Sequence, residues 1–131
     1  MSDMTIHASG AFEVKLVPQT DNDTTPGRFL LDKRFHGDLQ GTSHGQMLTA
    51  GDLAKGAAGY VAMEQITGNL HGRTGSFALQ HSGAMDNGAL HLNITVVPGS
   101  GVGELMGIAG SMSIKIEGGK HFYEFEFTLP T

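Results

Sequence analysis

Apolar and polar residues alternate along most of this chain, and the clearest alternation flanks a pair of glycines near the C-terminus. In GSMSIKIEGGKHFYEFEFTL, Gly118–Gly119 suits a two-residue turn whose central residues both need positive φ. Folding there pairs Ile116 with His121, Ile114 with Tyr123 and Met112 with Phe125 on an apolar face. The opposite face pairs Glu117 with Lys120, Ser113 with Glu124 and Ser111 with Glu126. One face apolar and the other mostly polar is what a correct register produces. Phe122 is the exception, a large ring on the polar face that is either an ordinary exposed aromatic or part of a subunit contact.

A second hairpin is signalled in TGSFALQHSGAMDNGALHLNITVVP by Asn87–Gly88, the strongest short-range turn signal. It pairs Met85 with Leu90, Leu79 with Val96 and His81 with Ile94, and on the other face Ala84 with His91, Ser82 with Asn93 and Gln80 with Thr95. The neighbours Gln80 and His81 therefore part, Gln80 to a polar face and His81 into the apolar one. Upstream, a two-residue turn at His71–Gly72 sets Leu70 against Arg73, Glu64 against Leu79, Ala62 against His81 and Tyr60 against Gly83. Glu64 then shares the apolar face with His81, diagonal to it. A three-residue loop would turn Glu64 outward instead.

Elsewhere, residues 5–17 alternate with Ile6, Ala8, Phe12, Val14 and Leu16 on one face, and PQTDNDTTPG reads as a polar loop. Residues 28–36 and 39–49 predict two strands around Gly37–Asp38, with imperfect alternation. Between 49 and 68, Leu53, Ala57, Tyr60 and Val61 fall at helical spacing, but Gly51, Gly56 and Gly59 favour a strand from about Ala57 to Gly68. The sum is an all-β chain, a closed antiparallel barrel of about eight strands with no exposed edge, and a single domain over residues 1–131. Composition agrees: glycine supplies 20 of 131 residues, about twice its usual share, weakening helices while serving turns and barrel bends.

Charge and cysteine content narrow the partners. The formal net charge is −5 with no basic block, so no nucleic-acid footprint is present. Without cysteine there is no disulfide, thiolate or cysteine-ligated zinc. The opening MSDMTIHASG lacks the pattern of an export signal, and no apolar run has the length of a membrane span. A soluble cytoplasmic protein is the expectation, with no membrane partner.

Three stretches together, EQITGNLHGRTGSFALQHSG (64–83), VVPGSGVGELMGIAG (96–110) and HASGAFEVK (7–15), resemble the bacterial family labelled domain of unknown function 3224, over nearly the whole chain. The resemblance implies a small barrel of the allene-oxide-cyclase type; the glycine run 99–110 is also similar to a segment of allene oxide cyclases and plant dirigent proteins. In those families the lumen holds a hydrophobic ligand and the chains form trimers. Val102 and Leu105 stand here without the cyclases' aromatic residue, and the cyclases' pocket residues have no one-to-one counterparts, so their activity is not carried over.

The candidate site is the lumen around His81. Tyr60, Glu64 and His81 supply polar groups, and Phe77, Leu79, Ile94 and Tyr123 supply apolar walls, for a small, largely apolar ligand. The alternative is an isomerase- or cyclase-like enzyme using Glu64 and His81 as an acid–base pair, burial raising the carboxylate's pKa. A third reading is a structural module with a filled barrel and a self-satisfied polar pair. PGSGVGELMGIAG lacks the Lys-Ser/Thr and the helix start of a phosphate loop, and reads as a tight connection against one barrel end. Seven histidines show no metal-ligand spacing, so neither metal nor cofactor is expected. Two tyrosines, seven phenylalanines and seven methionines exceed what a small lumen holds, which predicts a homo-oligomer, dimer or trimer.

Overall fold

A computed structural model describes residues 4–19 and 27–130. The strands, in chain order, are β1 (Ile6–Gln19), β2 (Gly27–Phe35), β3 (Leu39–Asp52), β4 (Ala57–Leu70), β5 (Arg73–Asp86), β6 (Ala89–Val96), β7 (Val102–Gly103), β8 (Ala109–Glu117) and β9 (Lys120–Thr128). Their hydrogen-bonded order is β4-β3-β2-β1-β9-β8-β6-β5, and β5 returns to pair with β4. Eight antiparallel strands thus close into a barrel, with the two-residue β7 added beside Gly75 and Ser76. Where a helix competed on spacing, between β3 and β4, the chain makes only a 3-10 turn at Leu53–Lys55. No described helix is long and apolar enough to cross a membrane.

The three hairpins have the registers their turns dictate. His71–Gly72, Asn87–Gly88 and Gly118–Gly119 all have positive φ at both positions, as two-residue turns of this hand require. Ile114 faces Tyr123, His81 faces Ile94, and Glu64 faces Leu79. Phe122 lies opposite Lys115 on the outer face, half-buried. One boundary differs from the expectation. Pro18 and Gln19 do not start the loop but continue β1, paired with Phe29 and Arg28; residues 20–26 of that loop lie outside the described residues.

The barrel is packed at one end and hollow at the other. At the packed end Ala8, Leu39, Ile66, Leu70, Phe77 and Leu79 meet Phe125 and Phe127, with Leu105, Ile108 and Leu129 covering the bottom. The Phe77 and Phe125 rings stack at 5.7 Å. The glycine-rich run 99–110 is therefore a plug: Leu105 and Ile108 are its buried side chains. Tyr123 pins the 36–39 turn across this end, its hydroxyl accepting from the Leu39 N–H at 2.9 Å and donating to the His36 carbonyl at 2.8 Å. At the other end β6 and β8 pair only through Ile94–Met112 and Thr95–Ser111. Above those pairs the two strands are no longer bonded to each other, and the lumen opens.

Candidate functional site

The open half encloses a cavity of about 350 Å³. Its walls are aliphatic and aromatic side chains from every flanking strand, among them Phe12, Val14, Leu31, Met47, Ala62 and Ile114, with Leu92 beside the β6–β8 parting. Leu16, Leu90 and Ile116 rim the mouth, and Leu90 and Ile116 stand 60% and 64% exposed. Four polar side chains reach the wall: Lys33, Tyr60, His81 and His121.

Glu64 holds two of them, Lys33 and His81, from behind. It is 1% exposed and is not part of the wall. Its Oε1 accepts from Lys33 Nζ at 2.9 Å and from His81 Nε2 at 2.6 Å; its Oε2 accepts from Ser43 Oγ at 2.6 Å. The local sequence makes this possible. Lys33 and Ser43 are direct cross-strand partners, and Gly45 faces Glu64. A Cβ on Gly45 would stand 2.8 Å from the Glu64 Cα, so only glycine leaves the carboxylate its place.

The electrostatics reverse one expectation. Burial alone does push the Glu64 pKa up, but the His81 hydrogen bond, the charges of Lys33 and His81 and the Ser43 hydrogen bond outweigh it and bring the pKa down to about 2. Glu64 is a carboxylate rather than a raised-pKa acid. Since an ionised carboxylate only accepts, the hydrogen on the short contact belongs to His81 Nε2. Nδ1 then faces the Tyr60 hydroxyl at 3.4 Å. Burial, followed by the nearby Glu64 charge, raises the Tyr60 pKa, which keeps that hydroxyl protonated. The Tyr60 ring lies over Gly83, where a Cβ would come within 2.3 Å of it. The arrangement can hold an acceptor group against Lys33 and Tyr60.

Of the residues chosen from sequence, Tyr60 and His81 line the cavity and Glu64 holds His81 from beneath. Phe77, Leu79, Ile94 and Tyr123 share the inward face but sit in the packed core and form no part of the cavity wall. Lys33, Ser43 and His121 escaped the sequence reading. The signal for Lys33 was its phase: in GRFLLDKRF it falls in step with Phe29, Leu31 and Phe35. Among the described residues no group of three His, Asp or Glu side chains could hold a metal. His7, His36 and His44 instead pair with Glu124, Glu13 and Asp32 on the outer surface.

Comparison with known proteins places the fold in a family. A family model described as "Protein of unknown function (DUF3224)" matches residues 8–127. A crystal structure of a protein with unknown function from that family, from Shewanella oneidensis MR-1, is 48% identical, with 98% of this chain and 100% of that chain covered and a TM-score of 0.91. No curated protein matches. On a match of that extent, the chain belongs to the DUF3224 family of proteins of unknown function.

Proposed function

We propose that this barrel binds a small, largely apolar molecule in its open half. The observation that carries the reading is the union of an apolar cavity of about 350 Å³ with a few polar groups held rigid at its inner end. Ligand sites have this composition, an apolar lining with few and well-anchored polar contacts. A filled structural barrel would close both ends as the 97–108 connection closes one. The exposed apolar rim and the early parting of β6 from β8 supply an entrance. The resemblance of the glycine run 99–110 to a segment of allene oxide cyclases, whose lumen holds a hydrophobic ligand, supports the same reading. Self-association belongs to the same reading: Leu30, Leu48, Val61 and Met63 stand exposed on the neighbouring strands β2, β3 and β4, a surface suited to a second copy.

The test uses the neutral fluorescent probe N-phenyl-1-naphthylamine. It should bind once per chain, and Ala62→Phe, which projects a ring into the cavity, should abolish that binding while leaving the circular dichroism unchanged. Equal binding to the folded Ala62→Phe variant would place the probe outside the lumen and overturn the reading.

A further inference from the structure

We infer that the molecule in the cavity carries one anionic head group, which lies innermost against Lys33 with its apolar tail directed towards the rim. This rests on the lumen-binding reading and adds the chemistry of the occupant. The first support is the sign of the wall. The chain has 13 acidic residues against 8 basic ones, yet among the described residues no acidic side chain lines this cavity, whereas Lys33, Tyr60, His81 and His121 do.

The second support is the valence of Lys33. Its side chain is 5% exposed, and an ammonium has three N–H donors to place. Glu64 Oε1 takes one; the faces of Phe12 and Phe35, centred 4.9 and 5.8 Å away, are its other neighbours and offer weak acceptance at best. The lysine thus keeps donor capacity beside the cavity. Glu64 lies behind the wall with both oxygens already engaged, and the Lys33 ammonium beside it offsets its charge.

An anion in this place would accept from Lys33 and from the Tyr60 hydroxyl. His81, hydrogen-bonded to Glu64 through Nε2, turns its Nδ1 towards the Tyr60 hydroxyl. A cationic head would meet Lys33 head-on, and a neutral alcohol would accept a bond from the ammonium without bringing a counter-charge to it. Beyond the head the wall is apolar through Leu31, Leu92 and Ile114 to the rim at Leu16, Leu90 and Ile116, apart from His121 opposite Ile116, and suits a short alkyl or aryl tail.

Displacement of N-phenyl-1-naphthylamine by three eight-carbon compounds, octanoate, 1-octanol and octylammonium, tests the head group at pH 7. Octanoate should displace the probe at a concentration at least about tenfold lower than octanol, the ratio a charge-assisted hydrogen bond supplies, and octylammonium should be weakest. Lys33→Met should remove the preference by weakening octanoate much more than octanol; Lys33→Met/Glu64→Gln, which leaves no unpaired Lys33 or Glu64 charge, serves if the single variant fails to fold. Octanol equal to or better than octanoate would overturn the anionic head while leaving lumen binding intact. Loss of octanoate preference in neither variant would remove Lys33 from the argument and sink it equally. Failure of the probe and all three compounds to bind would bring down lumen binding itself.

Discussion

Replacing Glu64 by glutamine tests the account of the polar network most directly. The substitution keeps the shape and one acceptor but removes the charge that Lys33 and His81 share. Lys33 would then hold a buried ammonium without a counter-charge, and removing one partner of a buried pair costs about 3–5 kcal/mol. The retained amide oxygen still accepts a hydrogen bond, which favours the low end, about 3 kcal/mol. For a chain of this length that is a fall in Tm of about 10 °C. The protein has no tryptophan, so urea unfolding is best followed by circular dichroism, with Tm read in the same way. Lys33→Met/Glu64→Gln should recover much of the loss, because an apolar replacement of the pair leaves no charge stranded. A Glu64→Gln variant within about 1 kcal/mol of the parent, or a double variant no more stable than the single one, would refute the reasoning, since a true buried pair must show this coupling.

Two further outcomes follow from the same geometry. The Glu64 pKa is depressed from the ordinary 4.5 to about 2 in the folded chain, so the unfolded chain takes up the proton first and stability is lost as pH falls from about 4.5 towards 2; at roughly 1.4 kcal/mol per pKa unit the loss is about 3 kcal/mol. Urea titrations at stepped pH should show this acid limb in the parent and lack it in Glu64→Gln. Tyr123→Phe strands the buried Leu39 N–H, which should cost about 2 kcal/mol in urea unfolding. Probe affinity should not change, because Tyr123 belongs to the packed end; a change would mean that the two halves are coupled.

The registers were legible because each of three hairpins carries a two-residue turn signal that fixes its pairing once the turn length is known. Glu64 is the sharpest case: its face depended on His71–Gly72 being a two-residue turn, and Leu70 does oppose Arg73. Lys33 and Ser43 were not legible, since β2 and β3 alternate imperfectly and the imperfection was itself the site. Alternation says which face a side chain takes, but not how far along the barrel the packing extends. Phe77, Leu79, Ile94 and Tyr123 have the same inward phase as His81, and only the plug of Leu105 and Ile108 decides that they fall in the filled half. The sign of the Glu64 shift was hidden for a related reason. Burial was foreseeable and raises a carboxylate's pKa; of the three donors that reverse the shift, His81 was placed beside Glu64, but Lys33 on β2 and Ser43 on β3 were not.

The position of the ion pair bears on why it is there at all. Buried pairs contribute little net stability, and an apolar replacement is often as stable or more so. Lys33 and Glu64 stand where the filled half meets the hollow one, with Lys33 on the cavity side and Glu64 behind it. An apolar floor at that level would pack onto Phe12 and Phe35, the rings that already flank Lys33. If Lys33→Met/Glu64→Gln matches or exceeds the parent in stability and yet loses the preference for octanoate, the network is kept at a cost that only an occupant of the cavity explains. A double variant that is far less stable than the parent would instead make the pair part of the scaffold, and the preference for an anionic head would then have to stand on the wild-type displacement series alone.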